Sequence, residues 1–178
     1  VTLGDDAGDS LTFSGGLDTT AGPSGVSVAG TVATGGTQMD IGAFAVTADA
    51  TLTAGASTAN LGAATVVDGV TLTLGDGTGT TFNAGSVDNT STANSSSLTI
   101  DTTGTASVGA VGATQPFDTV TVTDSGGTTF SSTVATANVA LTETTGTIAF
   151  QDDVDVTTGL TTNANGFNVA FTGASNSI

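Results

Sequence analysis

The sequence predicts an all-β chain that folds as a parallel β-solenoid, with coils of about 20 residues. Three observations support this prediction: a composition that favours strands, an alternation of apolar and polar residues, and phenylalanines that recur at nearly equal intervals along the chain. An antiparallel β-sandwich is the alternative, because alternation by itself does not distinguish the two folds. We interpret residues 1–178 as a single repeat-built segment, and expect an interior piece of a longer chain or a fibre protomer.

The composition favours strands over helices. Thr occurs 40 times and Gly 26 times in 178 residues, whereas Lys and Arg are absent. Thr and Val are branched at Cβ and suit a pleated strand, while the long unbranched residues that favour helices are nearly missing. The hydrophobic content of 37% indicates a folded chain with a core and not a disordered acidic tail.

Short segments alternate between apolar and small polar residues, as expected for strands with one buried side. Two clear examples are VTLTLG at 70–75 and FDTVTVTD at 117–124. In the second, the valines would face one way and the threonines the other. Dipeptides such as Asp68-Gly69 and Asp76-Gly77 separate these runs and predict turns. Such dipeptides also favour two-residue hairpins, which would support the sandwich.

Phenylalanines recur at roughly the length of one coil. Phe130, Phe150 and Phe171 follow one another at nearly equal intervals, and Phe82 precedes Phe130 by a little more than twice that interval. We therefore expect the first three to form one interior column, each ring packed against the coils above and below. Phe82 should lie on the same line two coils earlier, with the surplus residues looped out around 89–97. About nine coils at ~4.8 Å each would give a rod roughly 40 Å long.

The aromatic inventory also favours the solenoid. A sandwich of the immunoglobulin type usually has a buried Trp and a disulfide at its centre. This chain has eight Phe but no Trp, Tyr or Cys. A stack of small apolar side chains with one ring per coil fits that inventory better than a wide two-sheet core.

The formal net charge of −16, with no Lys, Arg or His, excludes several classes of function. Nucleic-acid backbones are held by Lys and Arg, so we expect no nucleic-acid binding. No apolar run approaches the roughly 18 residues that span a bilayer, so we expect no membrane insertion. A Ser or Thr nucleophile would have no His or Lys as base, which leaves only a two-carboxylate glycosidase mechanism. Without Trp or Tyr to bind a sugar, we expect no enzyme.

Two acidic clusters are weak candidates for Ca²⁺ ligands, since this cation prefers several carboxylate and carbonyl oxygens. They lie in GDDAGDS and QDDVDV and comprise Asp5, Asp6, Asp9, Asp152, Asp153 and Asp155. The alternative for each cluster is a solvated acidic turn, and no other cofactor is expected. Because clustered carboxylates repel one another, we expect their pKa values to be raised. Asp152 shares the parity of its apolar neighbours, which predicts a turn or bulge there.

Three segments carry a resemblance to a known group of proteins. DSGGTTFSSTV at 124–134, TTGTIAFQDDVDVTTGLTT at 144–162 and GFNVAFTG at 166–173 resemble the β-strand repeats of bacterial surface proteins of the filamentous-haemagglutinin-like and giant adhesin type. The likeness is clearest from Phe117 to Gly173. It implies a parallel β-helix used for adhesion, matrix building or fibre formation outside the cell.

These observations together predict a structural component of an extracellular surface fibre, sheath or giant adhesin on the bacterial cell surface. Its partners would be copies of itself or flanking repeats of the same chain. The alternative is a sandwich-type adhesion or ligand-binding domain, with or without a dependence on calcium. A solenoid should contain parallel strands throughout, whereas a sandwich should contain mainly antiparallel ones.

Overall fold

The chain forms a parallel β-solenoid of about eight coils in a computed structural model that describes residues 1–22, 25–142, 144–163 and 166–178. Every strand pair recorded within those ranges is parallel, which confirms the solenoid and makes the antiparallel sandwich wrong. The described residues contain no helix, so none could cross a membrane as a helix.

The described residues contain twenty strands, and most of them are short. In chain order they are β1 (Thr2–Leu3), β2 (Ser10–Thr12), β3 (Leu17–Asp18), β4 (Val26–Ala33), β5 (Met39–Ile41), β6 (Phe44–Thr53), β7 (Thr58–Leu61), β8 (Ala64–Val66), β9 (Thr71–Leu74), β10 (Thr81–Ala84), β11 (Val87–Asn89), β12 (Ser97–Thr102), β13 (Ala106–Val108), β14 (Phe117–Ser125), β15 (Thr128–Phe130), β16 (Val134–Leu141), β17 (Thr147–Phe150), β18 (Val154–Thr162), β19 (Asn168–Phe171) and β20 (Asn176–Ser177).

The strands stack into a twelve-stranded sheet and an eight-stranded sheet. The larger sheet has two parts, because its long strands change register midway, as β4 does against β6 between Val28 and Gly30. In the fourth coil the same two parts are separate strands, β8 and β9. We call these parts the first and second faces, and the eight-stranded sheet the third face. Each coil thus contributes one segment to each face.

The third face has one strand per coil, in the order β3, β5, β7, β10, β13, β15, β17 and β19. Met39 pairs with Ala59 and Phe82 pairs with Ala106, so the interval between partners on this face differs slightly from coil to coil. The coils average about 21 residues, which confirms the length expected from the phenylalanine spacing. The variation in length is absorbed in the loops, since the ladders on this face stay regular.

The predicted column of aromatic rings is present in the core. The ring centroids of Phe130 and Phe150 are 4.9 Å apart with an angle of 8° between the rings, and Phe150 and Phe171 are 4.9 Å apart at 4°. Phe130 and Phe150 are fully buried, whereas Phe171 is 37% exposed. The 4.9 Å spacing of the rings is the rise from one coil to the next, which matches the usual distance between paired strands.

The place predicted for Phe82 is wrong, because the residue lies one inward-facing position away from the column of Phe130. Its ring is fully buried two coils before Phe130, as expected, but Phe82 pairs with Ala106, which in turn pairs with Thr128. The column of Phe130 continues instead through Val108 to Ala84. The loop at 90–96 between β11 and β12 takes up only part of the surplus length, and the remainder shifts the ring along the strand.

The Asp-Gly dipeptides form turns within a coil and not hairpins. Asp68-Gly69 lies between β8 and β9, and Asp76-Gly77 lies between β9 and β10. Gly69 and Gly77 have φ angles of +80° and +79°, a region that glycine adopts without strain. The turn chemistry was predicted correctly, but these turns join consecutive faces of the solenoid.

One corner of the solenoid is built from stacked glycines. Gly42, Gly62, Gly85 and Gly109 follow one another in successive coils, where the third face ends. A Cβ atom on Gly62 would lie 2.7 Å from the carbonyl carbon of Gly42 and 2.8 Å from the nitrogen of Ala43. Because those neighbours are backbone atoms, the coils can approach this closely only without side chains.

Buried threonines at another corner bind the backbone of the preceding coil. The hydroxyl of Thr102 donates to the carbonyl of Thr80 at 2.6 Å, and the hydroxyl of Thr144 donates to the carbonyl of Ser125 at 2.6 Å. Thr80 donates in the same way to the carbonyl of Gly55 at 2.7 Å. These bonds satisfy buried hydroxyls and carbonyls where the strand ladders stop. The high Thr content is thus used inside the fold as well as outside it.

Candidate functional site

The loop between β1 and β2 brings three predicted ligand residues together. Carboxylate oxygens of Asp5, Asp6 and Asp9 all lie within 4.8 Å of one another. The amide of Asp5 donates to Oδ2 of Asp9 at 2.8 Å, and the amide of Gly8 donates to Oδ1 of Asp6 at 2.7 Å. The loop therefore folds around its own carboxylates. A hard cation such as Ca²⁺ could bind this set of oxygens, and a solvated turn is the other interpretation that the geometry allows.

The acidic loop distributes its charge unevenly between two carboxyl groups. A hydrogen bond to the Asp9 side chain and the negative charges of Asp9 and Asp6 raise the pKa of Asp5. The backbone amide of Asp5, its side chain and the amide of Asp6 lower the pKa of Asp9. The predicted rise is therefore correct for Asp5 and wrong for Asp9, because hydrogen bonds outweigh repulsion at the second group.

The second predicted cluster is less compact. Asp152 accepts a hydrogen bond from the amide of Asp153 at 2.9 Å, and Asp153 accepts one from the amide of Ser175 at 2.8 Å. Asp155 is exposed on the outside of β18. Within the described parts of the chain, the ligand atoms of Asp5, Asp6 and Asp9 converge. Those of Asp152, Asp153 and Asp155 do not. The turn predicted at Asp152 is confirmed, since residues 151–153 connect β17 to β18.

Several other carboxylates hold adjacent coils together. Asp49 accepts a hydrogen bond from the amide of Thr71 at 2.8 Å, and Asp88 accepts one at 3.1 Å from an amide in the loop between β13 and β14. Asp68 accepts from the amide of Thr92 at 3.1 Å and from nearby hydroxyls. Each donor lies about one coil further along the chain. Backbone amides and hydroxyls thus take the place of the cations that this sequence does not contain.

Sequence reasoning missed these carboxylate contacts, although a signal for them exists. Asp49, Asp68 and Asp88 follow one another at nearly equal intervals, close to the spacing of the phenylalanine column. The pattern could have been found by searching for charged residues at the coil period. It shows that an isolated Asp in this chain is more often a contact between coils than a ligand.

Hydrogen bonds lower the pKa of two carboxyl groups, those of Asp68 and Asp18. The hydroxyl and amide of Thr92 and the hydroxyl of Ser91 hold the pKa of Asp68 far below its ordinary range. The hydroxyl and amide of Thr20 lower the pKa of Asp18. Burial, followed by the charges of Asp124 and Asp76, raises the pKa of Asp101. The raised pKa of Asp101 alone would favour folding in acid, whereas the lowered pKa values of Asp68 and Asp18 oppose it.

We expect acid to destabilise the chain, because the lowered pKa of Asp68 sets the sign of the effect. A carboxyl with a lowered folded pKa stabilises the fold above its ordinary pKa of about 3.9, and this contribution is lost as the pH falls below that value. The melting temperature should therefore fall between about pH 5 and pH 2. Asp68→Ala should melt lower than the original chain at pH 7 and should depend less on pH in this range.

Asp155→Ala is the matched control for this acid effect. Asp155 is exposed, and no hydrogen bond to its carboxylate is recorded among the described residues. Its removal should leave the pH dependence of the melting temperature almost unchanged. A melting temperature that rises on acidification would mean that repulsion among the carboxylates dominates, and would contradict the role assigned to Asp68.

A regular array of hydroxyl groups covers the outside of the second face. Thr31, Thr51, Thr73, Thr99 and Thr121 pair with one another in five successive coils and form one column. A second column, two residues earlier on each strand, contains Thr71, Ser97 and Thr119. The sequence signal is the recurring pattern of Thr or Ser, an apolar residue, and Thr. Period-two alternation identifies these residues as outward-facing, but not as neighbours.

Comparison of the chain with protein-family models, with curated proteins and with solved structures gives no match. Three features of the molecule can therefore support a function: the stack of parallel coils, the acidic loop between β1 and β2, and the hydroxyl array on the second face. The first of these involves the whole chain, while the other two are local.

Proposed function

We propose that this chain is a structural component of an extracellular surface fibre, sheath or giant adhesin. Its coils would stack on those of another copy or of flanking repeats in the same chain. The observation that carries the proposal is an aromatic ring in the last described coil that is stacked on one side only. Phe171 stacks on Phe150 at 4.9 Å on one side, while 37% of its surface remains exposed. One more coil would bury this ring as Phe150 is buried.

Strand geometry at this coil also supports stacking. β18 and β19 pair with β16 and β17 on one side, and only the two residues of β20 cover the opposite edge of β18. No partner among the described residues is recorded for the rest of these edges, so they could extend the parallel ladders. In a solenoid, stability increases with each neighbour interface.

Two further properties support an extracellular structural role. The core consists of repeated coils and contains no buried group of titratable side chains among the described residues. The surface carries many carboxylates without a cationic side chain, which keeps a long rod soluble and limits contact between its sides. The resemblance to bacterial surface repeats supports the same location. Catalysis is not part of this proposal.

A tandem fusion of two copies tests whether coils stack across the junction. If they do, the fusion should melt at a higher temperature than the single chain and appear in electron micrographs as a rod of twice the length. Phe171→Asp in the first copy places a charge at the junction, whereas the same change in the second copy places it at the free end. The first variant should lose more of the gain in melting temperature than the second.

Equal melting temperatures for the single chain and the fusion would contradict the structural proposal, as would equal effects of the two Phe171 variants.

The same melts with millimolar Ca²⁺ or with a chelator test the acidic loop. If Asp5, Asp6 and Asp9 bind the cation, Ca²⁺ should raise the melting temperature of the original chain and have less effect on Asp9→Asn. Equal shifts in both proteins would indicate general screening of charge.

A further inference from the structure

We propose that the hydroxyl array on the second face binds ice. This function does not depend on fibre assembly, because the array lies on the side of the rod and not at its ends. The array consists of the column Thr31, Thr51, Thr73, Thr99 and Thr121 and the shorter column Thr71, Ser97 and Thr119. Ice is a crystal of hydrogen-bonding molecules, so a surface that matches it must present hydroxyls or methyls at crystal spacings.

The two spacings of the array are set by the fold. Along the column, neighbouring residues are separated by the rise of one coil, which the stacked rings place at 4.9 Å. Across the columns, Thr71 and Thr73 are two residues apart on a strand, which is about 6.6 Å in a parallel sheet. The repeat along the column is close to the shorter oxygen repeat on the surfaces of hexagonal ice, and the repeat across the columns is somewhat shorter than the longer one. A rectangular net with both repeats therefore allows many groups to meet the lattice at once.

The hydroxyls of the longer column are free to bind water. No hydrogen bond from the hydroxyls of Thr31, Thr51, Thr73, Thr99 or Thr121 to another described residue is recorded. This distinguishes them from corner residues such as Thr102 and Thr144, whose hydroxyls donate to carbonyls inside the fold. Each free hydroxyl offers one donor and two acceptor positions. Strand propensity favours Thr at these positions, and the common register additionally places the five hydroxyls in one line.

The array is also rigid. The register along Thr51, Thr73, Thr99 and Thr121 is continuous, and the apolar residue on either side of each Thr is buried. A β-branched side chain on such a strand has few rotamers, so its hydroxyl and methyl groups keep their positions. A surface that is already ordered loses little entropy when it binds a crystal. Flexible Ser or Asn side chains in the same column would not have this property.

Charge is kept to the border of the array. None of the residues in the two columns is ionisable. Asp49 borders the second column and is bound by the amide of Thr71, while Asp118 accepts a hydrogen bond from the hydroxyl of Thr119 at 3.1 Å. A free carboxylate would order water around itself in a shell that does not fit a crystal. The neutral centre of the array avoids this conflict in a chain that is otherwise strongly acidic.

Crystalline polysaccharide is the other regular surface that such an array could meet. Sugar rings are usually bound by exposed Trp or Tyr, and this chain has neither. None of its phenylalanines belongs to the two columns, and Phe82, Phe117, Phe130 and Phe150 are fully buried. The chemistry of the array is limited to hydroxyl and methyl groups, which favours water over sugar as the bound lattice.

Thermal hysteresis and partition of labelled protein into a growing ice surface test this proposal on the full chain. The original chain should shape ice crystals, depress their growth temperature and be enriched in the ice. Thr99→Lys places a long charged side chain in the middle of the array and should reduce the hysteresis several-fold. Thr129→Lys makes the same change in charge on the outside of the third face and should have no effect on ice.

Circular dichroism and melting temperature establish that each variant is folded. Thr121→Val removes one hydroxyl while keeping the shape of the side chain, so it provides a second test if Thr99→Lys fails to fold. It should reduce the hysteresis at an unchanged melting temperature. Absence of ice shaping by the original chain would overturn the proposal, as would equal losses in Thr99→Lys and Thr129→Lys. Binding to crystalline cellulose or chitin but not to ice would assign the array to polysaccharide instead.

Discussion

Replacement of Phe150 by Ala should lower the free energy of unfolding by about 3–5 kcal/mol, as the removal of a fully buried ring usually does. The ring has no exposed surface and is stacked between Phe130 and Phe171, each 4.9 Å away. The neighbouring coils cannot collapse into the space, because their backbones are fixed by the ladders of β15, β17 and β19. Urea denaturation followed by circular dichroism measures the loss.

Phe171→Ala is the matched control for this substitution. It removes the same group from the same column, but the ring is 37% exposed and stacks on one neighbour only. The loss of stability should therefore be clearly smaller than for Phe150→Ala. If both substitutions cost the same, the column does not have the graded burial described above. In the tandem fusion the Phe171 of the first copy should become as sensitive as Phe150.

Replacement of Gly62 by Ala should destabilise the chain by about 1–3 kcal/mol, the usual cost of overpacking a close contact. The added Cβ would lie 2.7 Å from the carbonyl carbon of Gly42 and 2.8 Å from its oxygen. Both are backbone atoms, so relief would require the coils to separate at that corner. The effect should exceed the gain of about 0.4–1 kcal/mol that the same exchange gives through the unfolded chain where there is room.

Gly159→Ala shows what the exchange does without a close contact. A Cβ on Gly159 would have no atom within 4 Å, and the residue lies in the regular strand β18. We expect its melting temperature to be equal to or slightly above that of the original chain. Equal destabilisation by Gly62→Ala and Gly159→Ala would mean that the coils do not approach one another at the glycine corner as described. Differential scanning calorimetry of both variants provides the measurement.

The sequence alone predicted strands, the length of a coil and one column of the core, but it left an antiparallel sandwich as the alternative fold. Thr and Val at alternate positions with glycine turns allowed only strands, and the spacing of Phe130, Phe150 and Phe171 specified the coil length. The turn at Asp152 could also be predicted, because a continuous strand would have buried a carboxylate. Each of these conclusions depends on residues close in the chain or on a strict period, which local physics is sufficient to interpret.

Which distant residues are neighbours depends on the folded chain as a whole. Phe82 is displaced from the column of Phe130 by one inward-facing position, because loop lengths vary from coil to coil and the variation adds up between them. The contact between Asp68 and Thr92 and the column that contains Thr99 depend on the same register. Alternation shows that a side chain points outward, but its partners one coil away follow from the length of every loop between them. For this reason the sequence supplies the period of Asp49, Asp68 and Asp88 and the outward direction of the threonines, whereas their partners are assigned by the folded chain.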